Sequence, residues 1–274
     1  MHLVTAGRGS PSTAASRPAV VFRALVAAVM LTAGVAPRAA RAGEGLYLTW
    51  NDCYQGAGTS NLAFACDANA GENDLYVAFK MPQAANNVLA IEIVIDIQQS
   101  AISLPDWWRL DPNGCRWDMN NPTLDVSADF TGKTACANMW QGAGTPAIAQ
   151  LADYIPGQPG GGANQARIKV TASVLPPDAR TLDGTSMYYA ARVIIKNSHT
   201  IDPAACAGCS EPACLVLNSI LIGRLAGSTG GDYFLQTPGP GDANWARWQG
   251  GGGANCQSVP VRSRAWGQLK GLYR

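Results

Sequence analysis

The chain has 274 residues and carries 20 basic against 19 acidic side chains, a net charge of +1. Five of those basic residues, Arg8, Arg17, Arg23, Arg38 and Arg41, and none of the acidic ones lie before Gly43. Removal of that segment leaves 15 basic against 19 acidic residues. The remaining chain is modestly acidic, which excludes wholesale nucleic-acid binding because no electrostatic footprint for phosphate exists.

The N-terminal segment reads as an export signal. Arg17 and Arg23 precede an apolar run over residues 24–35, and the small-residue triplet Ala40, Arg41, Ala42 follows it. Charged, apolar and cleavable parts stand in the order of a secretory signal. The run is shorter than the ~20 apolar residues of a membrane-spanning helix. The mature chain is expected to begin near Gly43 and to hold no transmembrane helix. No cysteine stands at the cleavage site, which argues against a lipid anchor.

Beyond the signal, apolar and polar residues alternate. Leu89, Ile91, Ile93, Ile95 and Ile97 fall on one face, with Ala90, Glu92, Asp96 and Gln98 on the other, the pattern of a half-buried strand. Val126, Ala128 and Phe130 alternate in the same way, as do Ile168, Val170, Ala172 and Val174. Further strands are predicted over residues 46–50, 75–81, 188–196, 215–222 and 233–235. Residues 215–222 are apolar on both faces apart from Asn218 and Ser219, as in a central strand. One short helix is predicted from Thr145 as cap and Pro146 in the first turn, with Ile148, Leu151 and Ile155 on one side. Pro159 to Gly162 reads as a loop between strands. The fold class is therefore all-β: a single antiparallel β-sandwich with long disulfide-tied loops and one short helix. Residues 1–42 form the signal, 43–249 the sandwich, and 250–274 a glycine-rich joint with a tethered basic and aromatic tail.

Eight cysteines, Cys53, Cys66, Cys115, Cys136, Cys206, Cys209, Cys214 and Cys256, all follow the cleavage site. An even set in an exported chain reads as a disulfide framework. Cys53 with Cys66 and Cys115 with Cys136 are the natural short-range pairs. The other four are left for two more bridges, one of which ties the tail to the body, although spacing does not fix connectivity. A zinc site from Cys206, Cys209, Cys214 and His199 is the competing reading, and an oxidising compartment favours the bridges.

Two loops are rich in hard oxygen ligands. One holds Asp67, Asn69, Glu72 and Asp74, the other Asp111, Asn113, Asp118 and Asn120. Calcium suits such residues outside the cell, and turns capped by Asp and Asn explain the same loops without an ion; neither loop has the spacing of a helix-loop-helix calcium site. No other cofactor is expected. Eight tryptophans are many for this length. Trp107 and Trp108, beside Arg109 and Asp106 after Pro105, are the candidate ligand-binding residues. On an extended chain one ring would face the core and the other solvent, where it could stack on a sugar. A serine triad would have to use His199, and there is no Gly-x-Ser-x-Gly elbow. A glycosidase-type carboxylate pair could draw on Glu72, Glu92 and Glu211.

The segment Trp248-Gln-Gly-Gly-Gly-Gly-Ala-Asn-Cys256, followed by Val259-Pro-Val and Trp266-Gly-Gln-Leu-Lys-Gly-Leu-Tyr-Arg274, resembles the closing segment of a set of exported bacterial proteins. The loop from Cys206 to Cys214 and the loop holding Pro105, Trp107 and Trp108 are similar to loops of the same set. This resemblance implies export and transfers no activity. A fainter likeness, to cohesin-type or immunoglobulin-like sandwiches, rests on strand alternation alone. The function expected from all this is that of an exported, non-catalytic binding or structural module of the cell envelope or extracellular space. Its partner would be a glycan or a protein. The alternative is a carboxylate-dependent hydrolase outside the cytoplasm. Intact-mass analysis of the protein recovered from its producing cells should give a chain beginning at Gly43; retention of Arg38 and Arg41 would refute the signal.

Overall fold

An alternating strand exposes one apolar face, and two such faces gain most by meeting each other. The computed structural model describes residues 44–119, 122–141, 149–250 and Cys256. Among them run β1 (Gly45–Trp50), β2 (Asn61–Leu62), β3 (Glu72–Lys80), β4 (Ala85–Gln98), β5 (Leu124–Ser127), β6 (Ala137–Asn138) and β7 (Ala149–Pro156). Then follow β8 (Gln165–Ser173), β9 (Arg180–Leu182), β10 (Met187–Lys196), β11 (Ala213–Arg224), β12 (Tyr233–Leu235) and β13 (Trp245–Trp248). One sheet has the order β1-β3-β10-β5, with β6 also on β10. The other has the order β2-β13-β11-β4-β8-β7, with β12 on β11 and β9 on β4. The long pairings are antiparallel, while the short strands β2 and β6 pair parallel. No helix among the described residues is long and apolar enough to cross a membrane.

The core lies between the sheets. Ile91, Ile93, Ile95 and Ile97 of β4, Ile168 and Val170 of β8, and Leu215, Leu217, Ile220 and Ile222 of β11 are buried. They form one cluster with Leu46, Leu48, Leu75, Val77, Phe79, Val193 and Ile195 of the other sheet. β11 reads as apolar on both faces for a local reason. A bulge falls between Leu217 and Ser219, so Asn218 is the extra residue and the inward positions shift from odd to even numbers after it.

The predicted helix is not formed where it can be seen. Thr145, Pro146 and Ile148 lie outside the described residues, and from Ala149 the chain is strand β7, paired with β8 from Ala149↔Ser173 to Pro156↔Ala166. The alternating strand β8 offers a full ladder of backbone partners, which outweighs a helical period carried by three residues. The regular helical turns seen are two three-residue 3₁₀ turns, Asp106–Trp108 and Pro176–Asp178. The Pro159 to Gly162 loop joins β7 to β8.

The short-range disulfide pairs are also overturned. The bonds are Cys53–Cys136, Cys66–Cys209, Cys115–Cys206 and Cys214–Cys256. Between Cys53 and Cys66 the chain changes sheets, because β2 joins the edge of β13. Cys115 and Cys136 sit at opposite ends of β10. Arg116 bonds the carbonyl of Lys196, whereas Ala137 pairs with Tyr188, roughly 25 Å of strand away. Separations of 83, 143, 91 and 42 residues make these bridges long-range staples. In the chain-entropy account each stabilises by about 4–5 kcal/mol. Non-reducing peptide mapping at low pH should recover the 66–209 and 115–206 cross-links, and a 53–66 or 115–136 peptide would contradict this topology.

Candidate functional site

Pro105 fixes the entry to the first 3₁₀ turn, and the Trp107 amide donates to Ala207 O at 2.8 Å. On such a turn neighbouring side chains are about 120° apart rather than opposed, so both can point inwards. Trp107 and Trp108 are both fully buried, which overturns the expectation of one exposed ring. They pack around Trp248, with ring centroids 5.7 and 5.4 Å from it, while Phe64 stacks on Trp248 at 4.0 Å and Trp50 meets its edge. Arg109 remains at the surface, bonded to Asp106 at 3.3 Å and to Asn113 O. These residues close one end of the core and offer no ring to a sugar.

The plug is held by Arg116. Its side chain is buried, 3.4 Å from the Trp107 ring centroid, and donates to the carbonyls of Ser198, Trp107 and Lys196. Burial draws its pKa down to about 9, so the guanidinium stays charged at neutral pH. Carbonyl dipoles and the π face stand in for a carboxylate.

The first oxygen-rich loop serves to tie its neighbours, while Asn120 of the second lies outside the described residues. Asn69 accepts from the amides of Thr200 and Ile201 and donates to Ile201 O and Asp202. Asp74 and Glu72 lie 3.2 and 4.0 Å from Arg192. Asp67 is exposed. Among the described residues no group of three His, Cys, Asp or Glu could hold a metal ion. The zinc reading fails, since Cys206, Cys209 and Cys214 are all disulfide-bonded. The three candidate glutamates are scattered. Glu72 opens β3 in one sheet, Glu92 pairs with Lys169 at 3.0 Å on the other, and Glu211 lies in the loop before β11.

A cleft of about 330 Å³ opens instead beside β1. It is lined by Leu48, Thr49, Tyr54, Gly58, Thr59, Ser60, Gly241, Asp242, Ala243 and Trp245. One wall is the loop after β1. Trp50 and Thr59 exchange backbone hydrogen bonds of 2.8 and 3.2 Å across it, and Asp52 accepts from Tyr189 OH at 2.6 Å. Only glycine fits at position 58, because a Cβ there would lie 2.5 Å from Asp52 O and 2.7 Å from Cys53 O. The other wall is the segment before β13. Its carbonyls at Thr237 and Ala243 accept from the amides of Leu46 and Leu48, and Gly239 lies against the Tyr47 ring. β13 then presents Trp245 opposite Val216, with the Arg247 guanidinium 4.9 Å from its ring centroid.

Tyr54, 38% exposed, leans on buried Tyr47 at 4.9 Å. Burial and then the neighbouring Tyr54 push the Tyr47 phenol up to about 12. The Thr49 and Thr59 hydroxyls are spent on Asp52 O and Asn61 O. No hydrogen bond within the described protein engages the Ser60 hydroxyl, the Tyr54 hydroxyl, the Trp245 Nε1 or the Asp242 carboxylate. The cleft thus joins two aromatic rings to donors and acceptors left for solvent or a ligand. Sequence reasoning missed it. The available signal was Trp245-Ala-Arg-Trp248, in which strand alternation turns one tryptophan inwards and the other out.

No family model and no curated protein matches the chain. Among solved structures, a cohesin module from a Clostridium perfringens ATCC13124 family 33 glycoside hydrolase is similar at 8% identity and a TM-score of 0.34. The match covers 77% of this chain and 99% of that one. Replacing Arg116 with alanine strips three carbonyls of their donor and opens the plug. It should lower unfolding stability by about 3–5 kcal/mol in urea titration, and a loss below 1 kcal/mol would show that the guanidinium is dispensable.

Proposed function

We propose that this chain is a binding module working outside the cytoplasm and that its ligand is held in the cleft between Tyr54 and Trp245. The observation that carries this reading is a small open site with stitched walls, lined by two partly exposed rings and by four polar groups that have no hydrogen bond among the described residues. A frame fixed before the ligand arrives reduces the ordering cost of binding. Four disulfides fit an oxidising compartment. Catalysis draws no comparable support. The cleft holds one carboxylate, Asp242, and the candidate glutamates lie elsewhere, two of them beside basic residues.

A screen of saccharides, peptides and small metabolites by intrinsic tryptophan fluorescence tests the reading. At least one compound should bind saturably, and Trp245→Ala should weaken it by at least ~10-fold, the equivalent of ~1.4 kcal/mol. Binding that survives both Tyr54→Ala and Trp245→Ala unchanged would place the ligand elsewhere.

A further inference from the structure

We infer that the ligand of this cleft is a neutral glycan held through its terminal sugar rings. The inference rests on the binding reading above and specifies its ligand. A sugar offers a C–H face and a rim of hydroxyls, so its site needs an aromatic surface together with donors and acceptors in fixed places. Both are present. Tyr54 and Trp245 supply the rings, Trp245 Nε1 and the Tyr54 hydroxyl supply donors, Asp242 supplies an acceptor, and Ser60 can act as either.

Charge argues against an anionic ligand. Among the described residues that line the cleft there is no Lys or Arg, Arg247 lies against the Trp245 ring, and the lining carboxylate of Asp242 would repel a carboxylate, sulfate or phosphate. Geometry argues against an extended peptide. A peptide added as a strand needs an open edge, and here the amides of Leu46, Leu48 and Trp50 are already taken by Thr237 O, Ala243 O and Thr59 O. At about 330 Å³ the cleft stands at the small end of the roughly 300–1,000 Å³ typical of ligand sites. It suits the end of a chain rather than a long stretch of it.

The test follows the Trp245 indole N–H by nitrogen-15 NMR, assigned through Trp245→Phe. The probes are cellotetraose, maltotetraose, xylotetraose and chitotetraose, with tetragalacturonate and a peptide library run beside them. At least one neutral tetrasaccharide should shift the signal saturably while tetragalacturonate does not. Tyr54→Ala should weaken that binding by at least ~10-fold and Asp242→Asn by ~3–10-fold. Both replacements are at exposed positions, and asparagine tolerates the left-handed backbone of Asp242, φ 54°. A signal moved only by peptides or by tetragalacturonate would overturn the ligand class and leave the cleft as the site. No movement with any neutral probe would overturn the glycan inference. Saturable binding that leaves the Trp245 signal still and is unaffected by Tyr54→Ala would overturn the cleft reading itself.

Discussion

The pairing of β4 with β11, and of β4 with β8 on its other side, is the constraint on which the rest of the sandwich depends. Asp96 of β4 is fully buried on the face of the sheet turned away from the core. It sits directly opposite Arg167 of β8, which grips it at 2.7 and 3.0 Å, and Asn218 at the β11 bulge donates to it at 2.6 Å. Burial pushes the Asp96 carboxyl up, and Arg167 offsets only part of the rise. A one-residue slip of β4 would part these groups and turn its four isoleucines outwards. Removing one partner from a buried pair costs about 3–5 kcal/mol because the other charge is left stranded, whereas replacing the whole pair by apolar residues is often neutral, so the cluster acts on register more than on gross stability.

One end of the sandwich is closed by two different means. An aromatic cluster of Trp50, Phe64, Trp107, Trp108 and Trp248 fills the gap between the sheets, roofed by Arg116. Cys66–Cys209 and Cys115–Cys206 bind the loops carrying these residues to the loop before β11. The packing supplies burial, and the bridges limit the freedom of long connections that have little core of their own.

The cleft is a consequence of how an edge is covered. β1 ends its sheet, and an exposed strand edge invites unwanted pairing. Here a backbone segment, residues 237–243, lies along it and takes up its amides, with Leu46 and Pro238 forming a parallel bridge. That segment and the loop after β1 form the two walls of the cleft. Between them stay Tyr54 on one side and Asp242 and Trp245 on the other, distant in sequence and joined only by the fold.

Much of the scaffold was legible because strand alternation is a local property. The isoleucines of residues 89–97, the run 168–174 and the two-sided strand 215–222 each declare their faces through period two alone, and the sandwich follows from burying them. The disulfide class was legible in an even set of eight cysteines. What stayed hidden depends on distance in sequence. The strand at Ala149–Pro156 takes its state from β8, the cysteine partners are set by which loops share an end of the sandwich, and the burial of Trp107 and Trp108 follows from a 3₁₀ turn meeting Trp248. The cleft belongs to the same class. Tyr54, Ser60, Asp242 and Trp245 are ordinary residues in ordinary turns and strands, and only the covering of the β1 edge brings their rings and polar groups to one place.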